Sequence, residues 1–432
     1  MGGINDKSSN RSLPSRIRAP FSRVPLLGWL AGALIAVTLE RFGGEAVAHA
    51  LGMSKVPVLF GLVLMLKEPV MIPGALGYVL LIYGLPLILV AYLSRSAANG
   101  AASFLLRFPV TVSVLAHLAL LYAVLHIWSD MSAYRVLTLK LTLIAVMLTL
   151  SLNVVNGYMG EFSCSHPGFM ALGAYAASAF TLALFVDDKV FGAPVLPEAL
   201  GPFLFPAALA AGGLTASLGA LVIAIPSFRT RGDYLAIISL AFLFIVKSLI
   251  ENLEIVGGPR GLSSQPDWAN LPAVFVGVVL CVWIINNFVR STLGKALNAV
   301  RDDETAADAM TVNTRRTKIV AFMFAAFWAG VAGGLFAHVL RYVNPATFGI
   351  QKLAEVLAMV YFGGLNSVYG SMVGAVSLSL LSEALRPLEI FKWIFIPLLL
   401  ILVMIFRPTG LVAFKEFNVA EVIKPKKERE EG

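Results

Sequence analysis

At 432 residues, with 58% apolar and 13% charged side chains, the chain has more apolar surface than a soluble fold can hide, since soluble domains hold about 45–50% apolar and about 25% charged residues. Its mean hydropathy of +0.83 points to lipid as the solvent. The formal net charge of +8 would suit nucleic acid, but the basic residues sit in short clusters between apolar runs. That is the pattern of cytoplasmic loops under the positive-inside rule, and it argues against a nucleic-acid partner.

Lys7, Arg11, Arg16, Arg18 and Arg23 precede an apolar run that ends near Leu39. Glu40 and Arg41 follow where a secretory leader would carry small residues, so the pattern predicts a cytoplasmic N-terminus and a first membrane helix over 24–39. Further segments fall at 56–66, 70–93 and 109–128. The 56–66 run is below the ~17 residues that a span needs, so it joins its neighbours or lies at the interface. Pro69, Pro73, Gly74 and Gly77 interrupt the next one, which is tolerable where adjacent helices resatisfy the backbone.

The rest is more regular, with spans near 136–159, 169–185, 203–225, 234–250, 273–288, 319–340, 353–362, 368–385 and 390–406. The length rule gives about eleven or twelve membrane segments. The 353–362 run is short and reads as broken or re-entrant. The expected fold is an all-α, polytopic membrane helical bundle. Arg229 and Arg231 mark one cytoplasmic connection, and Arg290, Lys295, Arg301, Arg315, Arg316 and Lys318 mark another. The tail from Arg407, with Lys424, Lys426, Lys427 and Arg429, also reads as cytoplasmic. That requires an even number of crossings after Lys318, which holds only if 353–362 crosses. The end of the tail, 424–432, is expected to be disordered.

Cys164 and Cys281 lie in or beside apolar segments and read as small buried hydrophobes with no disulfide framework. His49, His117, His126 and His338 are scattered without metal-ligand spacing, so no metal is expected. Gly330, Gly333 and Gly334 share one span, and Gly370 and Gly374 form a Gly-x-x-x-Gly pair. Such spacing lets helix backbones approach closely in lipid. Lys247 and Glu251, four apart near a span's end, read as a local ion pair or as part of a polar path.

The connection STLGKALNAVRDDETAADAMTVNTRRTK, 291–318, is long enough to have work of its own. Asp302 or Asp303 can cap a second short helix there, and Glu304 suits its first turn. Ala306, Ala309 and Met310 recur at helical spacing, with Ala307 between them, and form a small apolar face. Small side chains permit close docking into another protein's groove. The alternative is a solvated or membrane-surface helix.

His166 precedes Pro167 and Gly168 at a break before a helix. It can donate to a substrate carboxylate or, more simply, tie the loop together. Backbone groups freed at such breaks can line a polar path, as can those of Gly257, Gly258, Pro259 and Gly261 on the outer side. There is no Gly-x-x-x-x-Gly-Lys-[Ser/Thr] phosphate loop, so any ATP is bound by another chain and no cofactor is expected here. No catalytic constellation stands out, and the chain does not read as an enzyme.

These stretches together resemble the branched-chain amino-acid ABC importer permeases of the LivM type. LNVVNGYMGEFSCSHPGFMALGAYAAS, 152–178, is similar to the family's Gly-rich segment, with Ser163, His166, Phe169, Gly173, Ala174 and Tyr175. RTRGDYLAIISLAF (229–242), GGPRGL (257–262), the connection above with AFWAGVAGGLFAH (326–338), and RPTGL (407–411) also fit. The order and spacing are specific over roughly 136–414, about two thirds of the chain. Three positions depart from the family pattern. Ser163-Cys164-Ser165-His166 stands for Ser-Leu-Gly-His, Thr311 for a glycine, and Phe244 for a glutamate three residues before basic Lys247.

The resemblance implies residues 1–135 as an N-terminal membrane extension, 136–414 as a permease core and 415–432 as a charged cytoplasmic tail. It implies import of hydrophobic amino acids across a bacterial inner membrane. The partners would be a second permease subunit, two cytoplasmic ATP-binding subunits and a periplasmic amino-acid-binding protein. It also implies a path through Ser163, His166, Phe169, Tyr175 and the Gly257–Gly261 loop, and an ATPase-coupling helix holding Asp302, Asp303, Glu304, Ala306, Ala307, Ala309 and Met310. A urea or amide ABC permease, a self-sufficient secondary transporter or channel, and a membrane enzyme are the other readings.

Overall fold

In lipid, each backbone amide must find its partner inside the protein, which favours helices along the whole spanning chain. The computed structural model describes residues 23–187, 191–228, 234–407, 409–412 and 417–426. Lys7, Arg11, Arg16, Arg18, Arg229, Arg231, Pro408, Lys427 and Arg429 lie outside the described residues. Nine helices among the described ones are long and apolar enough to cross a membrane, and two shorter apolar helices, Val368–Ala384 and Phe391–Phe406, accompany them. The chain divides into two units, Met1–Arg135 with Asn418–Gly432, and Val136–Phe417.

The first unit is built on α1 (Leu26–Ala50), α2 (Pro69–Leu93), the short α3 (Arg95–Leu105) and α4 (Val110–Asp130). α1 runs well past Leu39, where the apolar pattern predicted its end. Glu40 does not stop the helix because it is neutralised: Arg135 donates from Nη2 and Nη1 to its two carboxylate oxygens at 2.8 and 3.0 Å. Tyr78 also donates to Glu40 at 3.3 Å, as does Tyr83. The paired side chains are 3% and 0% exposed, and the guanidinium lies 5.2 Å over the Trp128 ring.

The 56–66 run is not a span; it holds only a short helix, Leu62–Lys67. Within α2 a π-helical stretch, Val79–Gly84, precedes Pro86. A proline clashes with the carbonyl four residues back, and a widened turn is one way to relieve that clash.

The second unit begins along α5 (Ala133–Asn153), which ends in a π-helical turn, Val154–Met159. Then come α6 (His166–Phe185), α7 (Gly201–Ser227), α8 (Tyr234–Asn252) and α9 (Leu271–Arg290). The long connection holds α10 (Thr292–Asp302) and α11 (Glu304–Ala309), followed by α12 (Thr314–Leu340). β1 (Leu262–Ser263) pairs antiparallel with β2 (Tyr342–Val343), Leu262 opposite Val343. The unit closes with α13 (Ile350–Gly363), α14 (Val368–Ala384) and α15 (Glu389–Phe406).

The core is the triple contact of α6, α7 and α12, made possible by glycine. A Cβ on Gly173 would lie 2.2 Å from the Gly330 carbonyl oxygen, and one on Gly333 would lie 2.0 Å from that of Met170. A Cβ on Gly334 would lie 2.9 and 3.0 Å from the Leu209 and Ala177 side chains. Lipid supplies no hydrophobic drive between helices, so such backbone approach is what holds them.

α13 and α14 form a second close pair: Cβ atoms on Gly370 and Gly374 would lie 2.8 Å from the Gly363 carbonyl oxygen and 2.7 Å from Gly363 Cα. At about 21 Å, α13 is shorter than a bilayer core. Its last carbonyls, Phe362 and Gly363, accept hydrogen bonds from Leu411 and Val412 at 3.0 and 2.9 Å. Those residues follow the exit of α15, so the ends of α13 and α15 lie together.

Candidate functional site

On the inner side, α9 turns sharply into α10 at Gly294, where a Cβ would meet the Val289 carbonyl oxygen at 2.1 Å. Leu297 and Val300 bury the inner face of α10. The stem of Arg301 crosses the place of a Cβ on Gly160, and its Nη1 donates to the Gly157 carbonyl at 3.4 Å. Asp302 ends α10 and pairs with Arg301 at 2.7 Å.

Asp303, not Asp302, caps α11, accepting from the Ala306 amide at 3.0 Å. A one-residue break at Asp303 thus separates α10 from the second short helix that the sequence predicts. Thr311 closes α11 with φ +67°. The Thr311 amide donates to Asp308 O and the Val312 amide to Ala307 O, both at 3.1 Å. That is the Schellman arrangement usually built on glycine, so the turn keeps its left-handed form although the residue departs from the family pattern.

α11 therefore has two sides. Ala307 is buried toward the protein, while Ala306 and Ala309 are exposed and Met310 is 76% exposed. Lys318, at the start of α12, joins the connection to the core. Its ammonium donates to Glu161 at 2.7 Å and to Glu304 at 2.9 Å. Glu161 stands in the break between α5 and α6, so one cation links α11, α12 and that break.

The break itself is a buried polar knot. Asn156 Oδ1 accepts from the Ser163 amide at 3.2 Å, the Ser163 and Ser165 hydroxyls lie 2.9 Å apart, and the Cys164 amide donates to Ser239 Oγ at 2.9 Å. Asn153 donates to the Ser367 carbonyl and Ser371 Oγ at 3.0 and 2.6 Å, and it accepts from the Asn366 amide at 3.2 Å. The knot thereby ties α5 to the α13–α14 turn.

His166 is 0% exposed. The Ser151 backbone approaches its ring, and neither ring nitrogen has a partner of full hydrogen-bond geometry. It stands edge-on to Phe169, which packs against Phe242 and Phe322, both at 5.4 Å between centroids.

The outer side carries the remaining sequence candidates. Tyr175 donates to the Val343 carbonyl at 3.3 Å. It lies nine residues beyond His166, about 14 Å along the helix. Gly257, Gly258 and Gly261 have φ of +85°, +52° and +80° and flank Pro259. A Cβ on Gly261 would lie 2.2 Å from the Val343 carbonyl oxygen. This loop and the two-stranded ribbon cap the outer end. The candidate path residues thus form two groups, one at the N-terminal end of α6 and one reaching from its middle at Tyr175 to the Gly257–Gly261 loop, not one cluster. Lys247 and Glu251 pair at 3.8 Å, half-buried near the same end. Among the described residues, no group of three or more His, Cys, Asp or Glu side chains could hold a metal.

Residues 134–406 match the family model described as the branched-chain amino acid transport system / permease component. The chain belongs to that family. Over 307 residues the permease is 34% identical to the high-affinity branched-chain amino acid transport system permease protein LivM of Escherichia coli, covering 63% of this chain and 68% of that one. It is 33% identical to the LivM protein of Salmonella typhimurium with the same coverage. Over 150 residues it is 31% identical to BraD of Pseudomonas aeruginosa, 33% of this chain and 47% of that one. No solved structure matches.

Membership makes the permease a multi-pass membrane transport component and not an enzyme. Sequence reasoning missed Glu161, Asn153 and the role of Lys318 in it. The available signal was polar residues set inside or beside apolar runs, where an ionisable group is functional by default.

Proposed function

We propose that this chain is a permease subunit of an ATP-driven importer that carries branched-chain amino acids across the bacterial inner membrane. It works with a second permease subunit, two cytoplasmic ATP-binding subunits and a periplasmic amino-acid-binding protein. The observation that carries this reading is α11. It is a small, rigidly capped helix with Ala306, Ala309 and Met310 turned outward, anchored behind by Lys318 to Glu161. A soluble motor needs a handle of this kind: small side chains allow close seating, and a charge-assisted link transmits displacement.

When ATP binding moves the motor subunits, α11 shifts and Lys318 carries the shift to the break between α5 and α6. There the buried Ser163, Ser165, Asn156 and His166 side chains offer polar contacts to a passing zwitterion. Phe169 and its aromatic neighbours form the barrier next to it. At the outer end, the Gly257–Gly261 loop faces the delivering binding protein, with Tyr175 buried beneath it.

The test is leucine uptake by proteoliposomes holding the complete complex with ATP. Ala309→Arg places a long cation in the docking face and is expected to abolish uptake while this chain still inserts and assembles with its permease partner. Uptake by this chain alone on an ion gradient, or normal uptake with Ala309→Arg, overturns the reading. Uptake of urea and not leucine replaces the cargo.

A further inference from the structure

A cavity of about 150 Å³ opens within the second unit between α5, α13, α14 and α15. It is smaller than the ~300–1,000 Å³ of a drug-sized pocket and suits one small solute. Its charged groups are two ammoniums, Lys352 and Lys392, and two carboxylates, Glu355 and Glu383, and hydroxyls of Thr138, Thr142, Ser379 and Ser382 also line it. Glu383 is in addition paired with Arg386 at 2.9 Å. All four charged groups stand within about two turns of the outer ends of their helices. Lys352 pairs with Glu355 at 3.0 Å, both largely buried at 21% and 28% exposed, and lies 5.7 Å over the Phe336 ring. Lys392 comes from a different helix and is close enough to act on Glu355 electrostatically. Deeper in, the wall is aliphatic: Ile144, Leu148, Val356 and Met359, with Met170.

A local ion pair needs no cavity, no second lysine and no aliphatic floor. Ionisable groups within the membrane are costly, and they persist where they line a path or bind. Here ammoniums and carboxylates share one rim above a partly aliphatic pouch. That pattern matches a solute with an ammonium and a carboxylate on one carbon and a hydrocarbon side chain. A free fatty acid or an alkylamine would satisfy only half of the rim, and urea would leave the floor unfilled.

We propose that this cavity is an outward-facing subsite for a free aliphatic α-amino acid. Lys392 and Lys352 take the carboxylate, Glu355 and Glu383 take the ammonium, and Val356, Met359 and Leu148 receive the side chain. The inference rests on the amino-acid import proposed above and adds where the released solute is first held.

The test uses the complete complex in proteoliposomes. Lys392→Gln and Glu355→Gln are each expected to lower leucine uptake about tenfold or more, while stimulation of ATP hydrolysis by the loaded binding protein persists because docking is untouched. As an independent readout, Ser382→Cys, a lining position, is alkylated from the outside. Leucine delivered by the binding protein should slow its labelling, while hexanoate and pentylamine should not. Wild-type leucine uptake with both charge variants at wild-type rate and no protection of Ser382→Cys overturns the subsite and leaves the import reading standing. A complex that imports no amino acid overturns both.

Discussion

Lys318→Met is the most informative single change on the inner side, because it keeps the apolar stem and removes only the ammonium. The Lys318 and Glu161 side chains are 9% and 24% exposed and 2.7 Å apart. Such a pair falls between the 0.2–1 kcal/mol of surface ion pairs and the 3–5 kcal/mol lost on breaking a buried one, so it contributes about 2 kcal/mol. Glu304 is 51% exposed at 2.9 Å, and its share is about 0.5 kcal/mol.

Together these groups hold α11 to the break with about 2.5 kcal/mol, roughly a 60-fold preference for the attached state at 1.4 kcal/mol per tenfold. With that link gone, hydrolysis by the motor continues but no longer displaces α6. In proteoliposomes with the complete complex, the number of leucines moved per ATP should fall at least tenfold, with basal hydrolysis retained. Glu304→Gln, removing the weaker arm, should cost about twofold. If Lys318→Met transports leucine at the wild-type ratio, the link carries no force and the mechanical argument fails.

Two further predictions concern the frame that holds this machinery. Gly333→Ala should destabilise the core by about 3 kcal/mol or more, because the new methyl meets a backbone oxygen that cannot swing aside. Gly277→Ala, whose methyl would meet only the flexible Leu335 side chain at 3.3 Å, should melt in detergent within a degree or two of wild type, and equal losses for the two would refute the packing account. In the first unit, Arg135→Met should cost about 3–5 kcal/mol by stranding Glu40 without its cation. Adding Glu40→Gln, which keeps an acceptor for Tyr78 and Tyr83, should recover at least half of that loss in the same thermal assay.

Hydropathy and length decided most of the membrane architecture before any coordinates were considered. An excess of apolar residues in runs near 20 can be satisfied only by lipid, and lipid permits little except helices. Local chemistry was equally legible in the 291–318 connection. A capping aspartate, an acidic first turn and alanines at helical spacing are contained in a dozen residues, and they placed a short capped helix there.

What failed to show was every feature that depends on a distant partner. Glu40 looked like the end of a span because its neutralising Arg135 lies 95 positions away. The 353–362 run gave no sign of its preceding 3₁₀ turn, Pro345–Phe348, or of the hydrogen bonds from Leu411 and Val412, which cannot be read from periodicity.

The polypeptide alone therefore settled its solvent, its helical class and the presence of a short capped helix in the 291–318 connection, since each follows from residues close together in the chain. Tertiary structure decided which charges neutralise one another, which glycines bring backbones into contact, and that Lys352, Glu355, Glu383 and Lys392 share one rim. Those are properties of separation in space, and a linear pattern carries no term for the distance between helices.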